Sequence, residues 1–329
     1  MKLFIQIPCY NEKDSLSKVL EGIPKKIEGV DEIKVLVIDD GSTDGTADLA
    51  LSLGVDGVVG HRENRGLAAA FQTGIDACLK RGADLIVNMD GDNQYPGDQI
   101  QRLIQPILDG QADMVIGDRQ TGTLDHFSPL KKLLQRWGSL VVRMSSGTDV
   151  PDATSGFRAC SRDAAMRFSI FTRYTYTLET IIQAKKKGIS VANVPIRVEA
   201  TQRPSRLMKN SLSYVLRSAA SIVRVYALYE PFRIFVYTSL PFFGVGTLFL
   251  GRFLFLFCLG ERGVGRFVQS VVAGSTAVIL GLVFVAIGII ADSVAANRKV
   301  TEQMHLRLKR QELNDSRAEA DNRQEAPER

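Results

Sequence analysis

Two stretches without a charged side chain constrain this 329-residue chain more than any other feature. Ile234 to Gly251 carries no charge, and after Arg252 the apolar run resumes to Leu259. Phe267 to Ala291 is uncharged throughout. A helix needs about 20 apolar residues to cross a bilayer, and a helix satisfies its own backbone polar groups inside hydrocarbon. The runs therefore predict two transmembrane helices, 232–259 and 267–291, joined by a tight turn at Gly260 to Gly265. A buried soluble hairpin is the weaker reading of the same runs. Arg217, Arg224 and Arg233 precede the pair, and Arg298, Lys299, Arg307, Lys309 and Arg310 follow it. Basic flanks stay on the cytoplasmic side, so both chain ends are expected there, in a multi-pass protein of the cell membrane. Arg262 and Arg266 in the turn weaken that asymmetry without reversing it. The chain opens straight into a strand, Leu3 to Ile7, without a signal peptide, which also points to a cytoplasmic domain.

The residues just before the hairpin belong with it. Arg203, Asn210, Arg217 and Arg224 recur every seven residues, with Arg206 and Lys209 beside them and Leu212, Val215, Leu216, Ile222 and Val223 elsewhere. Taken alone this is a solvated helix face. Next to two membrane runs, residues 201–231 read as a basic amphipathic helix on the membrane surface. Residues 292–329 form a basic and polar tail, expected to be disordered beyond Asn314.

Residues 1–200 carry a different pattern. Apolar strands near 3–7, 33–38, 56–60, 84–89 and 112–117 alternate with helical stretches near 12–26, 44–53, 66–80 and 97–108. Such alternation predicts an α/β fold with a mainly parallel sheet. Past residue 118 the pattern loosens, giving helices near 128–145 and 177–187 and strands near 156–160 and 189–194. A net charge of +5 gives no case for nucleic acid. Cys9, Cys78, Cys160 and Cys258 are scattered without a Cys-x-x-Cys pair, against both a zinc site and a disulfide framework.

Chemistry gathers at strand ends. Leu85 to Met89 runs directly into Asp90 and Asp92, followed by Gln94. Side chains two apart on an extended chain share a face, and the carboxyl edge of an open α/β sheet is where ligands bind. Paired carboxylates suit a hard divalent ion such as Mg²⁺, which takes one or two of them plus substrate phosphates. A helix cap before Pro96 is the alternative for either aspartate. The second strand ends in Asp39-Asp40-Gly41-Ser42-Thr43-Asp44-Gly45-Thr46, where carboxylates can accept from a base or ribose while Thr43 or Asp44 caps the next helix. Arg65, in Asn64-Arg65-Gly66 before a helix of small residues, can meet a diphosphate. The first strand runs into Pro8-Cys9-Tyr10-Asn11-Glu12 and lacks Gly-x-Gly-x-x-Gly, which excludes a dinucleotide fingerprint there.

Taken in order, Pro-x-Tyr-Asn-Glu, Asp-Asp-Gly-Ser-x-Asp-Gly-Thr, Asn-x-Gly and Asp-x-Asp-x-Gln resemble the family 2 glycosyltransferases of GT-A fold. Gly117-Asp118-Arg119 and Thr154-Ser155-Gly156-Phe157-Arg158 follow at the expected distance. With the basic helix and hairpin, the chain is similar over about residues 1–230 to the dolichyl-phosphate mannose synthase and polyprenyl-phosphate glycosyltransferase branch. Asp-Gly-Asp-Asn-Gln-Tyr departs from the more usual Asp-Ala-Asp-Leu-Gln. The resemblance implies that Pro8, Tyr10, Glu12 and Asp39 hold the nucleoside. It implies that Asp90, Asp92 and Gln94 bind Mg²⁺ or Mn²⁺ and the diphosphate, and that Arg119 meets the donor. Arg203 and Lys209 close over the donor, and Ser155 and Arg158 take the acceptor phosphate. Asp90, Asp92, Arg119 and Arg158 are the expected catalytic set.

The implied activity is inverting transfer of one sugar from UDP-glucose, UDP-N-acetylglucosamine or GDP-mannose to a polyprenyl or dolichyl phosphate. A lipid monophosphate is already ionised at neutral pH, so no obligatory protein base is expected. Glu179 is the nearest acidic candidate and could equally be a structural partner for an arginine. A processive polysaccharide synthase is disfavoured, because Gln135-Arg136-Trp137 has the wrong spacing and two membrane helices are too few for a polymer channel. A non-catalytic membrane scaffold of the same fold is disfavoured by the intact Asp-x-Asp-x-Gln set. Gly244, Gly246, Gly251 and Gly274 could pack the hairpin against neighbours in a homo-oligomer.

Overall fold

The computed structural model describes residues 1–120, 150–170, 176–199, 230–259 and 268–325. They fall into two units, residues 1–222 with 306–329, and residues 223–305. The expected helix at 128–145, the expected 201–231 segment except its last two residues, and the turn at 260–265 lie outside the described residues.

The first unit is built on a seven-stranded sheet. Its strands are β1 Lys2–Cys9, β2 Glu32–Asp39, β3 Gly57–Gly60, β4 Leu85–Asn88, β5 Met114–Asp118, β6 Arg158–Ser161 and β7 Val191–Pro195. The spatial order is β3-β2-β1-β4-β6-β5-β7. Every neighbouring pair is parallel except those of β6, which runs antiparallel between β4 and β5. Strands such as Leu3-Phe4-Ile5 and Val87 with its neighbours are apolar on both faces, as a sheet covered on both sides requires. Alternation divides them. Phe4, Leu36, Ile38, Ile86, Met114 and Ile116 enter one core cluster, while Leu3, Ile5, Val37, Leu85, Val87 and Val115 enter the other.

Helices α1 Lys13–Glu21, α2 Thr46–Ser52, α3 Leu67–Lys80, α4 Ile100–Leu108, α5 Arg162–Arg167 and α6 Tyr176–Lys186 connect the strands. Small residues let α3 lie close on the sheet: a Cβ at Gly74 would come within 3.0 Å of Ile38 Cγ1. Two elements differ from expectation. The first helix stops at Glu21, five residues short, because the chain turns there: the Gly22 N–H donates to the Lys18 carbonyl and the Ile23 N–H to that of Leu20. The short helix α5 is additional, and Ser161 caps it by accepting from the Ala164 N–H at 3.2 Å. Leu313 also belongs to this unit, 5 % exposed within the first cluster, with Lys309 Nζ 2.6 Å from Asp76 and Arg310 2.7 Å from Asp163.

The second unit contains helix α7, Pro231–Cys258, and most of helix α8, Val268–Glu325. Both are long and apolar enough to cross a membrane. Their seam is glycine-lined, as close packing between membrane helices favours. A Cβ on Gly246 would sit 2.6 Å from Val278 Cγ2, one on Gly274 3.2 Å from the Gly246 carbonyl, and one on Gly281 3.0 Å from Phe243. Gly246 and Gly274, expected to serve neighbours, are thus used within the hairpin, whereas Gly244 and Gly251 meet nothing within 4 Å among the described residues. The expectation of disorder beyond Asn314 is also corrected. α8 continues to Glu325, in a stretch with no Gly or Pro between Ile289 and Ala326 to interrupt it.

Candidate active site

Parallel strands deliver three loops to one edge. β1 ends at Cys9 opposite Asp39 of β2, and Gln6 of β1 lies opposite Asn88 of β4. The residues after β1, β2 and β4 hold Tyr10 to Glu12, Asp39 to Thr46, and Asp90 to Gln94. Each loop is shaped by its own hydrogen bonds.

After β2, Asp40 is almost wholly buried and fully engaged. It accepts from the Arg65 N–H at 2.9 Å and the Gly66 N–H at 2.8 Å, and lies 2.7 Å from His61 Nδ1. His61 Nε2 in turn meets Thr73 Oγ1 at 2.9 Å. This anchors Asn64-Arg65-Gly66 at the start of α3. Gly41 is required by that packing, since its φ is +74° and a Cβ would fall 2.6 Å from the Glu63 backbone. The β1 loop is tied to the same corner. Asn11, at φ +54°, donates its N–H to Ser42 Oγ and accepts from the Thr43 N–H, both at 2.9 Å, and the Glu12 N–H donates to Thr46 Oγ1 at 3.0 Å. Asp44 accepts from the Thr46 N–H at 3.0 Å, but the cap position of α2 is Gly45, which has no side chain to cap with, so neither Thr43 nor Asp44 is the expected cap. Pro8 is buried within β1, Asp39 is buried with the Ser42 N–H 3.3 Å away, Glu12 is half-buried and Tyr10 is exposed.

After β4 the carboxylates are arranged differently. Asp90 accepts no hydrogen bond among the described residues, yet Gly156 is pressed against it: a Cβ there would lie 2.8 Å from Asp90 Oδ1. Burial and the charge of Asp92 push Asp90 up to about 7, against the pull of Arg119 and Arg158. Burial also raises Asp92, whose Oδ1 accepts from the Gln94 N–H at 3.1 Å. Gln94 is held through its backbone, its carbonyl accepting from the Glu199 N–H at 2.9 Å.

Side chains beneath this loop fix its position. Asn88 accepts from Gln6 Nε2 at 2.9 Å and donates to the Gly156 carbonyl at 2.8 Å, with the Tyr176 hydroxyl 2.9 Å away. Tyr95 stacks on Phe157 at 5.0 Å between ring centres, and Tyr176 on Phe71 at 4.0 Å. Sequence reasoning passed over these residues, because a polar side chain inside a four-residue apolar strand reads as an imperfection until its partners are seen.

The two arginines take separate roles. Arg119 forks onto Asp152, with Nε 2.6 Å from Oδ2 and Nη2 2.9 Å from Oδ1, and Nη2 also reaches Thr154 Oγ1 at 2.7 Å. Burial would raise Asp152, but the Arg119 charge and these bonds hold it below the usual carboxylate range. Arg119 Nη1 makes no hydrogen bond among the described residues. Asp152 went unnoticed in the sequence, although an aspartate just before Thr154-Ser155-Gly156 is a natural counter-charge for a strand-end arginine.

Arg158 corrects an expectation. It is 4 % exposed and donates to the carbonyls of Ser155, Ala153 and Thr177 and to Thr180 Oγ1, at 2.6 to 2.9 Å. Burial lowers its pKa to about 10. Bonded inward on every branch, it has no route to an acceptor phosphate. Ser155 remains a site candidate, because its buried Oγ has no partner among the described residues. Glu179 is 1 % exposed and accepts from Gln183 Nε2 at 3.2 Å, inside α6 packing. Arg203 and Lys209 lie outside the described residues.

Asp90 and Asp92 supply hard oxygens, and no third His, Cys, Asp or Glu joins them among the described residues. Such a set fits a divalent ion whose remaining positions come from water and substrate phosphate.

Comparison with known proteins bears on this edge. Residues 4–168 match the family model described as glycosyl transferase family 2. The polyprenol monophosphomannose synthase of Mycolicibacterium smegmatis is 31% identical over 206 residues, covering 59% of this chain and 76% of that protein. The UDP-N-acetylglucosamine–dolichyl-phosphate N-acetylglucosaminyltransferase of Methanococcus voltae is 28% identical over 221 residues, covering 61% of this chain and 86% of its own length. Among solved structures, glucosyl-3-phosphoglycerate synthase from Mycobacterium tuberculosis, in complex with Mn²⁺, UDP and glucosyl-3-phosphoglycerate, superposes with a TM-score of 0.54 at 22% identity. That match covers 69% of this chain and 78% of the solved one.

Proposed function

The chain belongs to glycosyl transferase family 2 and has the GT-A fold, and from that premise we propose that it moves one sugar from a nucleotide-sugar to a polyprenyl phosphate at a membrane. The observation that carries this reading is Asp90: a strand-end carboxylate beside Asp92, raised to about 7 and accepting no hydrogen bond among the described residues. A structural aspartate is stabilised by its neighbours, whereas this one awaits a cation. Relatives named for a polyprenol monophosphomannose and for a dolichyl phosphate, and two helices able to cross a membrane, support a lipid acceptor.

In this reading residues 1–200 are the catalytic domain and both chain ends are cytoplasmic. Pro8, Tyr10, Glu12 and Asp39 flank the nucleoside, and Asp90 and Asp92, with Gln94 beside them, hold Mg²⁺ or Mn²⁺. When bound, the ion neutralises the departing diphosphate. Arg119 offers Nη1 to a donor phosphate while Asp152 keeps its guanidinium plane oriented. The Ser155 hydroxyl can donate to an acceptor oxygen, and Arg203 and Lys209 add positive charge from the membrane-surface segment. Arg158 holds the 153–158 backbone against Asp90. The acceptor's phosphate oxygen is itself the nucleophile, with a second pKa of about 6, and attack opposite the diphosphate inverts the anomeric carbon.

The test is turnover by isolated membranes given radiolabelled nucleotide-sugars and a polyprenyl phosphate. Product should form with one sugar, stop with chelator and return with Mg²⁺ or Mn²⁺. Equal transfer to free polyprenol, or full activity in excess chelator, would overturn the acceptor or the metal assignment respectively.

A further inference from the structure

Between the two site aspartates stands Gly91, and its surroundings explain why this chain has glycine there. A Cβ at Gly91 would lie 2.9 Å from Cys9 Sγ, with Glu12 Cγ and the Pro8 carbonyl both 3.5 Å away. Cys9 is 2 % exposed at the end of β1, so its sulfur cannot turn aside into solvent. Burial, aided by Asp39 and Asp90, drives its thiol far above its ordinary pKa, which leaves it a space-filling group and not a reactive one. On the other side, Ser15 Oγ lies 2.7 Å from the Gly91 carbonyl and 2.9 Å from Glu12 Oε2. Its single proton goes to one of these acceptors at a time, with the Gly91 contact the shorter.

We propose that Cys9 and Ser15 are positioning residues for the Asp90–Asp92 pair, gripping the intervening peptide from the nucleoside-binding loop. Cys9 sets how closely Gly91 approaches β1, and Ser15 sets the tilt of its carbonyl. Both carboxylates radiate from that glycine's neighbours, so a shift of a few tenths of an ångström alters how they share a cation. Glu12, on the expected nucleoside side, touches the same serine. The loop that meets the donor's base therefore also orients the pair that meets its diphosphate. Glycine at 91 and cysteine at 9 form a size-matched pair: a methyl at 91 needs a smaller residue at 9.

The metal part of this inference rests on the proposed function, and the experiment separates the two. Full-length protein in detergent is prepared as wild type, Gly91→Ala, Cys9→Ala, the double variant and Ser15→Ala. Amide hydrogen exchange is read at residues 89–94, Mn²⁺ binding by electron paramagnetic resonance, and folding by thermal melting. Gly91→Ala should exchange faster at 89–94 and bind Mn²⁺ about ten-fold more weakly, a loss of about 1.4 kcal/mol. The double variant should recover both to within about two-fold, and Ser15→Ala should weaken Mn²⁺ by a smaller factor with melting unchanged. A double variant as impaired as Gly91→Ala would overturn the size match, and unchanged exchange in both Gly91→Ala and Ser15→Ala would overturn the grip itself. Should wild type bind no Mn²⁺ while the exchange pattern holds, the metal reading fails and the grip stands.

Discussion

Two carboxylate corners sit at the same sheet edge, and they were built for opposite purposes. Asp40 accepts two backbone N–H groups and meets His61, which is braced by Thr73. Asp90 accepts nothing among the described residues and carries a raised pKa beside Asp92. Both follow a buried parallel strand, and both would be scored alike by motif. What separates them is satisfaction: a buried charge with fitted partners stabilises a loop, whereas one left without them costs stability and gains from a ligand. Asp39, one residue before Asp40 on the alternate face, lies between these extremes: among the described residues its carboxylate accepts from the Ser42 N–H alone.

The largest effect should come at the second corner. Asp92→Asn should lower turnover by about a thousand-fold or more, roughly 4 kcal/mol of transition-state stabilisation. Thermal melting of the same protein should be unchanged or raised, since a like charge beside Asp90 is removed. Turnover near wild type would break the comparison at once.

Asp40→Ala should show the reverse. It strands two backbone donors and His61, at a cost of about 2–4 kcal/mol, read as a large drop in melting temperature. Loss of activity without loss of stability would mean that Asp40 is a ligand group after all.

His61→Phe probes the outer brace and sharpens the picture. It keeps a ring in place but loses both hydrogen bonds, so a penalty of about 1–2 kcal/mol is expected, with metal dependence unaltered. A changed metal requirement would show that the corners communicate.

Lys309→Ala is the small-effect control, away from both corners. It removes the pair with Asp76, whose carboxylate is partly exposed although the lysine is largely covered, and a pair with one solvated partner gives about 1 kcal/mol. A melting change of several degrees would mean that the α8 segment on α3 contributes more than an isolated ion pair.

Much of this was legible beforehand because it is local. Strands of period-two or continuous apolar residues, the aspartates that end them and the uncharged runs near the carboxyl end are patterns of neighbouring residues. The order β1, β2, β4 at one edge follows from parallel crossovers that bring successive strand ends to the same side. Arg158 was misread because Thr-Ser-Gly-Phe-Arg says only that a cation is near the site. Whether the guanidinium faces solvent or the carbonyls of 153, 155 and 177 depends on where α6 packs, and no run of residues encodes that. The antiparallel β6 between β4 and β5 was likewise invisible as an orientation, though its strand was expected near 156–160.

By itself the sequence determined the α/β alternation, the strand-end aspartates, the apolar runs and the family to which they belong, because each rests on spacing along the chain. Tertiary structure alone decided which of those aspartates is spent on the fold. It also decided that Arg119 is held by Asp152, that Arg158 turns inward, that Gly91 must yield to Cys9, and that Gly246 and Gly274 serve the hairpin's own seam. The reason is physical: hydrogen-bond satisfaction and close packing are properties of atoms brought together from distant positions, and spacing says nothing about which of them will meet.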